Sequence, residues 1–202
     1  DWGKLQGSGR WYASQFSSAA AVADKLAEDG LEIVRRTDLW RKTWYDSTLP
    51  RWVLDRAIAN LSTLATNTCY RFQDGRFYGF EGVHAFIGTC NHVWHYDEGA
   101  GRLFPELEMS LRTQADFVLG VGIKSDGSIP MRIDGQPGAL DPLPKQPILF
   151  GPGYAHWASI DGQCGIILRA YRNHLTSSNA DFVKKYWPQI KQATQWLFAQ
   201  DS

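Results

Sequence analysis

Glu81 closes an aromatic run, Arg76-Phe-Tyr-Gly-Phe80, and is followed by Gly82. A carboxylate where a strand enters a loop is held by firm backbone yet open to a ligand. That placement suits one of the two carboxyl groups a glycosidase sets on either side of its scissile bond. The plainer reading is a solvated turn, and local chemistry alone favours it. Residues 88–96, Gly-Thr-Cys-Asn-His-Val-Trp-His-Tyr, gather a hydroxyl, an amide, two imidazoles and two aromatic rings. Such a mixture can bond sugar hydroxyls and stack on sugar faces. A helix start with partly buried histidines explains the same residues equally well. Thr89, Asn91 and His92 are the substrate-binding candidates there. Asp161, in Asp161-Gly162-Gln163, joins them, although capping an early helical turn accounts for it adequately.

Other chemistries fit less well. His92 and His95 stand three apart and could share a helix face as metal ligands, but no third ligand is recognisable and the Cys/His spacing matches no zinc pattern; no metal is expected. The chain has no Gly-x-Ser-x-Gly elbow, and its three cysteines (Cys69, Cys90, Cys164) have no recognisable base. They read as free buried thiols. Without a phosphate-cradling loop or a complete dinucleotide fingerprint, no cofactor is expected either.

The elements positioning these residues read as long helices separated by short hairpins. From Ser17 to Trp44, apolar or small residues recur at Val22, Leu26, Gly30, Ile33, Thr37, Trp40 and Trp44, one face of a long helix. Pro50 opens a second helix with the stripe Leu54, Ile58, Leu61. A third starts at Phe104-Pro105, with Glu106 and Glu108 placed to suit the positive end of its dipole, and continues along Leu107, Leu111, Ala115 and Val118. A fourth runs from about Trp157 to His174 on the stripe Ile160, Cys164, Ile167, Tyr171. The last follows the capping candidates Ser178-Asn179 and reaches Phe198, with Pro188 expected to restart or kink it. Asp74-Gly75 and Asp126-Gly127 each sit between short runs of strand character and predict two hairpins, over residues 69–80 and 121–133. Residues 134–154, rich in Gly and Pro, read as a long loop.

The 202 residues suffice for one domain with a large core. Lys+Arg and Asp+Glu both number 21, so the formal net charge is zero, which argues against nucleic acid as partner. No apolar run approaches the roughly 20 residues a membrane-spanning helix needs. Nothing settles the compartment, and the cytoplasm is only slightly favoured. Nine Trp, eight Tyr and ten Phe raise the expectation of a carbohydrate site, although most of these rings belong in a core.

Taken in order, Ser47-Thr-Leu-Pro50, residues 74–82 (Asp-Gly-Arg-Phe-Tyr-Gly-Phe-Glu-Gly), Thr89-Cys-Asn-His-Val-Trp94, Leu103-Phe-Pro-Glu-Leu-Glu108, Asp161-Gly-Gln163, Tyr171-Arg172 and Trp187-Pro188 resemble glycoside hydrolase family 116, the family of non-lysosomal glucosylceramidases and microbial β-glucosidases and β-xylosidases. The resemblance implies residues 13–202 as the first part of an all-α (α/α)6 toroid with small β-hairpins. Residues 1–12 would join it to a preceding β-rich domain. It also implies retaining hydrolysis of β-glucosides or related glycosides, with Glu81 as nucleophile. Asn91 stands where many members have a sugar-contacting Asp. Met131, after Ile129-Pro130, stands where a His is usual, and His92 and Arg132 could supply compensating contacts. The family's acid/base Asp, in a Thr-x-Asp segment, has no equivalent before Ser202. The expectation is therefore an incomplete catalytic domain, inactive in isolation, whose partners are a glycoside substrate and the remainder of its own toroid. A non-catalytic carbohydrate-binding or interaction module on the same scaffold is the alternative.

Overall fold

The computed structural model describes residues 10–66, 68–79, 88–96, 98–133 and 157–201. The chain is mostly helical, with two small antiparallel two-stranded sheets. In order, the elements are α1 (Trp11–Gln15), α2 (Ala19–Tyr45), α3 (Arg51–Ala59) running into a 3-10 turn (Asn60–Ala65), β1 (Cys69–Arg71), β2 (Phe77–Gly79), β3 (Thr89–Cys90), α4 (Asn91–Trp94), α5 (Glu98–Leu103), α6 (Pro105–Leu111) continuing as a π turn (Arg112–Asp116), β4 (Arg132–Ile133), α7 (Ile160–Thr176) and α8 (Asp181–Gln200). Contacts divide the chain into two compact units, Asp1–Thr66 with Arg71–Gly75, and Asn67–Tyr70 with Arg76–Ser202.

In the first unit, Ser18 caps α2 by accepting from the Ala21 amide, as short hydroxyl side chains do at helix starts. None of the 27 residues of α2 is buried. The stripe that the sequence marks as core-facing lies open, with Leu26 at 55 % and Ile33 at 42 % exposure. The Pro50 carbonyl accepts from Val53 and Leu54 at the start of α3, and Leu54 is that helix's buried residue. Arg71 lies over the Trp11 ring, 4.6 Å from its centroid.

The second unit holds the main core: Phe117, Ile123, Ile129 and Ile133 with Ile166 and Ala170 of α7 and Phe182, Tyr186, Ile190 and Ala193 of α8. Helix α8 runs unbroken through Pro188, contrary to the expected restart. Pro188 and Lys184, whose carbonyl loses its donor, are both exposed, so water can replace the missing bond. Asn179 accepts from the Asp181 amide just ahead of α8, while Ala180 occupies the cap position.

Two further expectations need correction. The Asp126-Gly127 turn exists, with Gly127 at φ 91° and Asp126 accepting from the Ser128 amide, but it joins no hairpin. The Val121 and Gly122 amides donate to the Val118 carbonyl at the end of the π turn, so the first arm is already engaged. β4 instead pairs with β3, Thr89 opposite Ile133 and Cys90 opposite Arg132. On α7 the buried face is Gly162, Gln163, Gly165, Ile166, Arg169, Ala170 and Asn173, whereas Ile160 and Tyr171 of the expected stripe are exposed. Hydropathy misses this face because it includes polar residues, of which Gln163 is fully bonded in place: it donates to the Gly127 and Ala193 carbonyls and accepts from the Ile129 amide.

All three cysteines are free, Cys69 and Cys90 buried and Cys164 half-buried. Among the described residues, no helix is long and apolar enough to cross a membrane.

Candidate functional site

The candidate residues meet where β3 turns directly into α4 and the N-terminus of α7 closes on it. A pair of strands leading into a helix gives the turn a rigid base. The Thr89 hydroxyl accepts from the Gly79 amide at 3.1 Å, tying β3 to the end of β2. The Asn91 amide N–H donates to the Met131 carbonyl at 2.8 Å, and its side-chain Nδ2 donates to the Pro130 carbonyl at 2.6 Å. Thr89 and Asn91 are therefore buried bracing groups, 3 % and 4 % exposed. Met131 is also buried, and its amide donates to the Trp157 carbonyl. Arg132, buried beside it, reaches the Gly88 carbonyl through Nη1.

His92 and Asp161 are the accessible pair. The His92 Nδ1 lies 3.8 Å from Asp161 Oδ2, with side chains 40 % and 55 % exposed. Ser159 caps α7, accepting from the Gly162 amide at 3.1 Å, and its hydroxyl donates to Asp161 Oδ1 at 2.6 Å. The Ser159 bond, aided by the Gly162 amide and the nearby His92 and His95, holds the Asp161 carboxyl below the usual aspartate range despite some desolvation. This approach depends on Gly162. A Cβ there would come within 2.6 Å of Ser159 Oγ, 3.0 Å of the His92 amide nitrogen and 3.1 Å of Asn91 Cβ. Gly165 plays the same part against the His95 ring, whose Nδ1 lies 3.0 Å from the Asn91 carbonyl. His92 thus faces a carboxylate and His95 a backbone carbonyl, and no group of three metal-capable side chains occurs among the described residues.

The site residues named from sequence are thus brought together in Thr89, Asn91, His92 and Asp161. Glu81 lies outside the described residues, as does the loop at 134–154.

Sequence reasoning missed a buried charge cluster farther along α7. Glu108, placed from sequence as a first-turn dipole partner, is 3 % exposed. Its Oε1 accepts from Arg112 Nη1 at 3.2 Å and, more closely, from Arg169 Nη1. Arg169 also donates to the Trp94 carbonyl at 2.5 Å, so the cluster clamps the far end of α4. Arg112 Nε and Asp116 Oδ2 approach within ion-pair distance without the alignment of a hydrogen bond. The available signal was the i, i+4, i+8 run of opposite charges Glu108, Arg112, Asp116. Beside the cluster lies a cavity of 210 Å³, rimmed by Arg102, Arg172 and Asn173.

The chain matches no model of a known protein family, and no curated protein matches it.

Proposed function

We propose that this chain is part of the catalytic domain of a retaining glycoside hydrolase of family 116 type, acting on β-glucosides or related β-glycosides within an (α/α)6 toroid. The observation carrying this reading is the convergence of motif segments far apart in sequence: Thr89–Trp94 packs against both the Asp161-Gly162-Gln163 turn and, through Arg169, the Glu108 segment. In this reading Glu81 attacks the anomeric carbon and the aglycone leaves with its bonding electrons. Thr89 and Asn91 shape the floor of the sugar site. His92 and Asp161, open to solvent, bond sugar hydroxyls; the low-lying Asp161 carboxyl stays an acceptor across the physiological range.

The test is labelling of the intact protein with a 2-deoxy-2-fluoro β-glucoside bearing an activated leaving group, which needs little acid assistance. The expected result is mass added to the peptide containing Glu81, lost in Glu81→Gln. A protein that binds the glycoside and never becomes labelled at Glu81 is a carbohydrate-binding module instead.

A further inference from the structure

Helix α2 carries a repeat of seven. Ala19, Leu26, Ile33 and Trp40 fall seven residues apart, and so do Ala23, Gly30, Thr37 and Trp44. The two sets alternate in steps of four and three, the pattern of a seam along which two helices pack. The seam is solvent-facing: Leu26 is 55 %, Ile33 42 % and Trp40 44 % exposed, and a Cβ added at Gly30 would meet nothing within 4 Å. The Thr37 hydroxyl donates to the Ile33 carbonyl at 2.8 Å, which satisfies its polar atom and leaves its methyl for an apolar neighbour.

We propose that this face pairs with the same face of a second copy of the chain, the two α2 helices running antiparallel. The face is self-complementary. With Gly30 level with Ile33 of the partner copy, every layer joins a small residue to a larger one: Ala23 to Trp40, Thr37 to Leu26, and Ala19 to Trp44 at the ends. That alternation lets the backbones stay evenly spaced along about 40 Å of helix. The flanks agree. Asp29 comes beside Arg36 of the other copy, twice by symmetry, and Ala27 lies against Val34. Arg36 has no ion pair among the described residues, while Asp29 is paired with Lys25 of its own helix at 2.5 Å and still has a second carboxylate oxygen to offer. Glu32–Arg35 and Asp38–Lys42 are likewise paired within the helix. A parallel pair would stack each residue on itself, Trp40 on Trp40 and Gly30 on Gly30, and would set Arg36 against Arg41. The interface is isologous and closes on itself. It goes beyond the glycosidase reading and does not depend on it.

The purified 202-residue chain should show concentration-dependent dimerisation in sedimentation equilibrium. Ile33→Lys should abolish it with helix content unchanged by circular dichroism, because the site is exposed in the single chain. Arg36→Asp should weaken it about tenfold, since two opposite-charge contacts become like-charge contacts. Asp29→Arg combined with Arg36→Asp should restore it. A chain that stays monomeric up to about 100 μM overturns the proposal and leaves the face to a different occupant, whether another segment of a longer polypeptide or another protein. Tighter association in Arg36→Asp overturns the antiparallel arrangement, because in a parallel pair the new carboxylate would meet Arg41 of the other copy.

Discussion

The side-chain amide of Asn91 donates to the backbone carbonyl of Pro130 at 2.6 Å, so a donor is required at a position where the resemblance leads one to expect a carboxylate. An ionised Asp would face that carbonyl with no proton between them. Asn91→Asp should therefore destabilise the fold by about 1–3 kcal/mol at neutral pH, the cost of a buried mismatched polar group. A protonated Asp could donate again. The deficit relative to the parent chain should shrink as pH falls, which thermal melts of the two proteins between about pH 7 and 4 would show. A deficit that does not change with pH would sink this account of the site.

Gly162 lets α7 approach α4. Adding one methyl in Gly162→Ala meets backbone as well as the Ser159 hydroxyl, and backbone gives way less readily than a side chain. A loss of about 1–3 kcal/mol is expected from overpacking, despite alanine's better helix propensity. Urea denaturation measures it. A stabilised variant would mean that the two helices have room to part.

Ser159 serves α7 twice, as the helix cap and as the donor to Asp161. In Ser159→Ala, helix capping should cost about 1 kcal/mol, and the Asp161 carboxyl should rise toward its ordinary range because its largest stabilising contact is gone. Titration of the Asp161 carboxyl carbon by NMR reads the second effect separately from the first. No upward movement would assign the low value to the histidines instead.

Burial pushes the Asp116 carboxyl up to about 6, with the Arg112 charge opposing the rise. The folded protein therefore holds a proton that the unfolded chain, near 3.8, has released. Between about pH 6 and 4 the folded state binds more protons, so this group makes stability increase as pH falls through that window. The gain is of order 2–3 kcal/mol at most, because a shift of one unit is about 1.4 kcal/mol. Asp126 and Asp161 are held below the usual value and oppose the trend only below about pH 4. Asp116→Asn should flatten the profile between about pH 4 and 6; an unchanged slope would place the proton elsewhere.

Much of the local structure was legible before any fold was known. The start of α6 follows from Pro105 and its acidic first turn, and the long α2 from its steps of three and four, because propensity, capping and periodicity act within a turn or two of helix. The site was legible only in part. That Asn91, His92 and Asp161 belong together came through the resemblance, while the internal bonds of Thr89 and Asn91 came only from the fold. Nothing local distinguishes an amide that reaches a ligand from one that reaches a carbonyl 39 residues away.

The sequence by itself therefore determined which segments coil and where the chain must turn. Asp126-Gly127 turns for local reasons, Gly127 at φ 91° and Asp126 accepting from the Ser128 amide two residues on. Tertiary structure decided what those segments face. β4 pairs with β3 because the amides at Val121 and Gly122 are taken by Val118. α7 buries Gln163 and Arg169 in preference to Ile160 because carbonyls and a carboxylate from distant segments meet their donors. Glu108 lies inside because two guanidinium groups await it there. A polar side chain is buried when its partners are in place, and those partners are set by the packing of the whole unit rather than by its neighbours in sequence.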